Sequence, residues 1–142
     1  MTPKTLHRTL VIKERLRKWR RAELLEAENR VEQAQQAVDD REALHAKTAA
    51  LLTRSGDFSA HELVLAADQL EVAQRALQAA KAELGERIEE RDQRKEVAGE
   101  ATREVKAIEV LHDRLVKEQR KAADRHEQAE LDDRSIRKGK AK

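Results

Sequence analysis

The sequence predicts an all-α protein, two long helices folded into an antiparallel coiled-coil hairpin with the second helix overhanging at its C-terminal end. Three observations predict it. Charged residues make up 41% of the 142 and aromatic residues 1%, with one proline and four glycines, a composition of long helices rather than of compact globules. Apolar and small residues recur at alternating steps of three and four. Helix-breaking residues cluster at one place, just short of the middle of the chain. Low hydrophobicity alone would also fit disorder, but disorder needs no period, and a sustained 3.5-residue repeat is the mark of coiled-coil packing.

The first helix is expected over about residues 3–53. Thr2 and Pro3 suit its N-cap and first helical position, where a missing N–H costs nothing. From Leu24 its seam runs through Ala27, Val31, Ala34, Val38, His45 and Leu52, with Arg41 interrupting the series. The stretch "TRSGDFSAHE", residues 53–62, then supplies a turn over about 54–58. Gly56 is expected to take the left-handed conformation that ends a helix. Ser59 with Glu62 forms a capping box for the next one.

The second helix is expected over about 59–135. Leu63, Leu70, Leu77 and Leu84 recur every seven residues, and Ala73, Ala80 and Ile88 fill the positions between. Gly85 and Gly99 are soft points, each costing about 1 kcal/mol relative to Ala. A frayed basic tail, 136–142, completes a single hairpin domain over 1–142. A short turn makes the helices antiparallel neighbours, so facing residues should have numbers summing to about 114. Leu51 then meets Leu63, Leu44 meets Leu70, Ala37 meets Leu77, and Leu6 meets Ile108.

Charge is distributed unevenly. Residues 1–21 carry a net +7, residues 110–142 a net +3, and residues 22–109 a net −8. The densest basic stretch is "KERLRKWRR", Lys13–Arg21, which also holds the single tryptophan. In a hairpin both basic segments belong to the end away from the turn. The seam also changes there: Arg20, Arg17 and Lys13 occupy positions that should be apolar, and only Leu10 and Leu6 restore it. Leu16 and Trp19 form a second small apolar face. Weak pairing of that end is expected, with surface left for another molecule.

Chemistry for catalysis is missing from the pattern. The histidines at 7, 45, 61, 112 and 126 form no i, i+4 pair, and the glycines at 56, 85, 99 and 139 are scattered rather than gathered into a phosphate-cradling loop. Acidic pairs such as Glu89 and Glu90 belong to solvated helix faces, since two packed helices offer no cleft to perturb them. No enzyme and no cofactor is expected. The chain has no cysteine, which removes disulfides and thiolate metal sites and fits a reducing compartment. Its longest apolar run, "LVLAA" from Leu63, is far short of the ~20 residues that span a bilayer. The N-terminus lacks the apolar core of a secretory signal. These features point to a soluble, intracellular protein without direct membrane insertion.

Phosphate binding needs the Lys/Arg density that Lys13–Arg21 provides, but single-strand binding usually adds stacking aromatics. Only Trp19 could stack, and the acidic residues of 22–109 would repel a long polyanion. A basic zipper would require a parallel dimer, with its basic helix running straight into the zipper. Nucleic acid is therefore a weak expectation, and a general coiled-coil scaffold or adaptor a stronger one.

Two segments resemble the FliJ/YscO family, the coiled-coil stalk proteins of flagellar and type III secretion export ATPases. "TLVIKERLRKWRRAELLEAENRVEQAQQAVDDREAL", residues 9–44, is similar to the family's N-terminal helix, with a basic start followed by repeating Glu, Ala and Leu. Residues 103–138 are similar to its C-terminal helix, through Lys106, Glu109 and Leu111, then Glu127, Gln128, Asp132 and Asp133. The resemblance implies a non-enzymatic, cytoplasmic stalk, peripheral to the inner-membrane export apparatus and monomeric when free. Its paired termini would enter a hexameric ATPase and its turn would face the export gate. As in some members, it would also bind export chaperones. Carried over residue by residue, the ATPase-binding set is Lys13, Arg15, Arg17, Lys18, Trp19, Arg20 and Arg21, with Arg114, Lys117, Arg120 and Lys121. The gate-facing set is Leu44, Leu51, Leu52, Phe58 and Leu63. Flagellar members carry aromatics near the turn, where this chain has only Phe58, a departure that inclines it toward the virulence-type branch or a divergent flagellar one.

Overall fold

The computed structural model describes residues 2–54, Gly56 and 58–140. Two helices account for nearly all of them: α1, Pro3–Thr53, and α2, Ala60–Lys140. They pack as an all-α hairpin, and no strand occurs among the described residues.

Local chemistry explains most of the helix ends. Thr2 stays outside α1 and its Oγ1 accepts the Thr5 N–H at 3.2 Å, while Pro3 takes the first helical position. At the start of α2 the capping box closes in both directions. The Glu62 N–H donates to Ser59 Oγ at 3.2 Å and the Ser59 N–H to Glu62 Oε2 at 3.3 Å, so two otherwise orphaned donors are satisfied. At the end of α1 the Thr53 hydroxyl donates to the Ala50 carbonyl at 3.0 Å, and the Phe58 N–H donates to the Gly56 carbonyl at 2.8 Å. The left-handed conformation expected of Gly56 turns on its bond to Ser55, which is not among the described residues. Ser55 and Asp57, within the expected turn, lie outside the described residues.

The basic tail expected to fray from 136 is helical through Lys140. The preceding turns are good helix formers held by i, i+4 contacts: the Gln128 side-chain amide donates to Asp132 at 3.1 Å, and His126 lies 3.7 Å from Glu130. Such contacts support a helix without tertiary packing.

By contacts the chain divides into two compact units. The turn unit, Trp19–Ala98, contains the α1–α2 connection. Of its buried residues, Ala27, Val38 and Ala73 fall on the expected seams, and Ala98 continues the heptad of Leu84 beyond them. Leu24, Val31, Ala34, His45 and Leu52 are half-buried, as are Leu70, Leu77, Ala80, Leu84 and Ile88, while Arg41 is exposed. Leu63 is the seam residue that fails, standing 44% exposed.

The register explains that failure. Glu23 pairs with Arg94 at 2.8 Å and Arg30 with Glu90 at 3.0 Å, so facing numbers sum to 117 and 120 rather than about 114. Near the turn Leu44 shares a groove with Ala73, and Ala37 shares one with Ala80. The slip of at least three residues, about 4.5 Å of axial travel, sets Leu44 beside Ala73 and puts alanines on both helices at the level of Ala37. The expected register would have stacked Leu44 on Leu70 and Leu51 on Leu63. Alternating large and small residues across a helix pair permits closer approach without overpacking.

The terminal unit comprises the residues up to Lys18 and those from Gly99 onward. The weak pairing expected here is not found. Leu6 is 2% exposed and Val105 0%, the most buried large side chains described, and Ala101 is buried with them. Lys13 and Arg17 sit half-buried at their seam positions. Long basic side chains can lay methylene stems along apolar surface and keep their charge near water, so cations at a seam need not open it. Lys13 reaches Glu104 at 2.9 Å, and the His7 ring lies 6.2 Å from that of His112. Beyond this level α2 continues alone, every described residue of 117–139 being exposed.

Candidate partner-binding surfaces

Helical periodicity sorts the basic segment of α1 into two sets. Lys13, Arg17 and Arg20, spaced i, i+4, i+7, turn partly inward, whereas Arg15, Lys18 and Arg21 are exposed. The inward cations Lys13 and Arg20 have acidic partners, Glu104 at 2.9 Å and Glu23 at 3.2 Å. Arg17 holds its Nε buried without a hydrogen-bond partner. Among the described residues Arg15, Lys18 and Arg21 form no ion pair. The outward set is therefore uncompensated charge.

Trp19 stands 61% exposed, with the Arg20 guanidinium 5.4 Å from its ring centroid. It borders a shallow recess of about 230 Å³ whose other walls include Glu23, Glu26, Arg30, Glu90 and Arg94. These residues form ion pairs that sequence reasoning missed. Glu23 accepts from both Arg20 and Arg94, and Arg30 bridges Glu26 and Glu90, at 2.8–3.2 Å. The i, i+4 pair of Glu26 and Arg30 was legible in the sequence. The cross-helix pairs depend on the register and were not. Part of the acidic excess of 22–109 is thus used internally.

In the terminal unit Arg114, Lys117 and Lys121 line one open groove of about 480 Å³ along α2, together with Val110, Asp113 and Glu118. Arg120 belongs to another face. This groove does not adjoin Lys13. The partner of Lys13 on α2 is Glu104, and Arg114 lies ten residues further on, about 15 Å at helical rise. The expected ATPase-binding residues of this unit therefore form two patches. One lies on paired helix, and the other begins level with the start of α1.

Of the expected gate-facing residues, Leu44 and Leu51 are each 47% exposed, and Phe58 and Leu63 are exposed as well. Leu52 is half-buried on the seam, which takes it out of an accessible set. A further apolar face lies beside Leu44. Leu65 and Val72 are exposed and line with it a groove of about 420 Å³. The signal was available: 65, 72 and 79 are Leu, Val and Ala at heptad spacing, a second series beside the seam.

Among the described residues no cluster of three His, Asp or Glu side chains could hold a metal ion, and no helix is long and apolar enough to cross a membrane. Comparison of the chain with protein-family models, with characterised proteins and with solved structures finds no match.

Proposed function

We propose that this chain is the non-enzymatic stalk of a type III protein export apparatus, seated by its basic end in a hexameric ATPase and directed by its turn toward the export gate. One observation carries the reading. Arg15, Lys18 and Arg21 present exposed positive charge on α1 that forms no ion pair among the described residues, on a helix whose resemblance points to that family. Long-range attraction between such a strip and an acidic ring would steer the encounter and set orientation more than it would add affinity. A two-helix insert has no sixfold symmetry, so it would touch the subunits of a hexamer unequally and bias them. Its role is to promote assembly and turnover while cytoplasmic at the inner membrane, with export chaperones as further ligands.

The test is stimulation of a candidate export ATPase. The intact chain should raise hexamer formation and ATP turnover, and the triple variant Arg15→Glu, Lys18→Glu, Arg21→Glu should lose most of that stimulation while keeping its helicity. Undiminished stimulation by the variant would reject the socket assignment. A second reading, a coiled-coil scaffold that works through its shaft, is favoured by the apolar groove beside Leu44. It predicts that the triple variant behaves as wild type and that substitutions in the groove abolish function.

A further inference from the structure

The turn unit carries a second apolar face that its own two helices cannot cover. On α1, Ala37, Leu44 and Leu51 recur at heptad spacing beside the seam, and on α2 Leu65, Val72 and Ala79 do the same. The two series run side by side, with Ala37 near Ala79, Leu44 near Val72 and Leu51 near Leu65, pairs whose numbers sum to 116 against the 117 of Glu23 and Arg94. The groove between them is lined by Leu44, Leu65, Val72 and Asp68 near the turn and by Ala37, Ala76, Ala79 and Glu83 further along, and Arg41 lines both stretches. Val72 is 67% exposed, although valine at a heptad position is a residue for packing. Three apolar layers at coiled-coil spacing on a two-helix face are half of a four-helix bundle.

The charges bordering this face indicate what covers it. Asp40 and Lys47 lie seven residues apart on its α1 border, and Asp68 and Arg75 seven apart on its α2 border. Asp40 is roughly level with Arg75, and Lys47 with Asp68. A second copy laid face to face by a twofold axis parallel to the helices brings Asp40 to Arg75 of the second copy, and Lys47 to Asp68. A twofold axis across the helices brings Asp40 to Lys47 of the second copy, and Asp68 to Arg75. Both of these twofold arrangements, with the helices of the two copies aligned, match acid with base, the self-complementarity an isologous interface requires. Within the chain Asp40 accepts the Gln36 amide at 3.0 Å and Arg75 pairs with Glu71 at 2.7 Å. Both are exposed i, i+4 contacts that are cheap to exchange. Among the described residues Lys47 and Asp68 form no ion pair.

We infer that the chain self-associates through this face, two turn units forming a four-helix bundle. The inference does not rest on the export-stalk reading, because its readout is the mass of the free chain with no ATPase present. A dimer of this kind would cover Leu44 and Leu51 and so hold the turn end unavailable to other partners until it dissociates.

Sedimentation equilibrium of the full chain tests it. The mass should approach twice 16.3 kDa by a concentration of about 100 µM, the range expected of a modest interface. Val72→Glu, at an exposed position outside the seam, should return the mass to that of a single chain with helicity unchanged. Asp68→Arg should weaken dimerisation at least tenfold, because the twofold axis makes each substitution remove two charge matches. The chain has no native cysteine, so Val72→Cys should form an inter-chain disulfide under mild oxidation and Val110→Cys should not. A single-chain mass throughout that range would overturn the inference. A dimer indifferent to Val72→Glu, or cross-linked through position 110 instead, would do the same.

Discussion

Gly85 lies inside α2 with open space where a Cβ would stand. Nothing in its surroundings requires glycine, so its effect is that of backbone freedom lost on folding. Gly85→Ala should therefore stabilise the protein by about 1 kcal/mol, read as a rise in melting temperature of about 4 °C. A fall would mean that the surroundings of Gly85 are tighter than the open space found. Arg17 shows the opposite condition. Its Nε is buried without a partner, a desolvation cost accepted at a position where the heptad would place an apolar side chain. Periodicity flagged Arg17 as an exception, but it could not say which nitrogen would lose its water.

Among the elements, α2 depends on a well-built start. Its first turn is held by the reciprocal Ser59 and Glu62 bonds at 3.2 and 3.3 Å, and few other described contacts fix the chain as it leaves the turn. Ser59→Ala should cost about 1 kcal/mol and raise amide hydrogen exchange over residues 60–64, leaving the α2 seam near Leu84 unaffected. Exchange that rose evenly along α2 would show that the cap acts on the whole helix and not on its end. Thr2 does the same for α1 through one bond to Thr5. Both caps were legible because capping is a local matter of a short polar side chain and a donor three residues away.

At the scale of the whole molecule, burial is uneven. Leu6, Ala98, Ala101 and Val105 are buried, whereas every described residue of 117–139 is exposed. A lone helix of that length is marginal in water because most helical stability comes from packing an apolar face. Hydrogen exchange on the intact chain should find strong protection over 98–108 and exchange faster by several orders of magnitude over 120–138. Equal protection would require a partner for that segment, supplied by a second molecule. The functional reading belongs to this scale too. The unpaired cations of α1 among the described residues, the groove from Arg114 to Lys121 and the face beside Leu44 differ in chemistry, the first cationic, the second mixed in charge and the third largely apolar.

The sequence by itself determined the two helices, their caps, the site of the turn and the seam residues of α1, because each follows from a local period or a local hydrogen bond. It also exposed the charge asymmetry, since counting needs no structure. Tertiary structure alone decided the register. The heptad is satisfied equally by helices slipped past one another by nearly a turn, and only the fit of leucine against alanine, with Glu23 against Arg94, selects among the alternatives. That choice left Leu63 in solvent and opened the groove along Leu44 and Val72. It also showed that cations at the seam of the terminal unit coexist with its most buried residues, because a long basic side chain can cover apolar surface and still reach water.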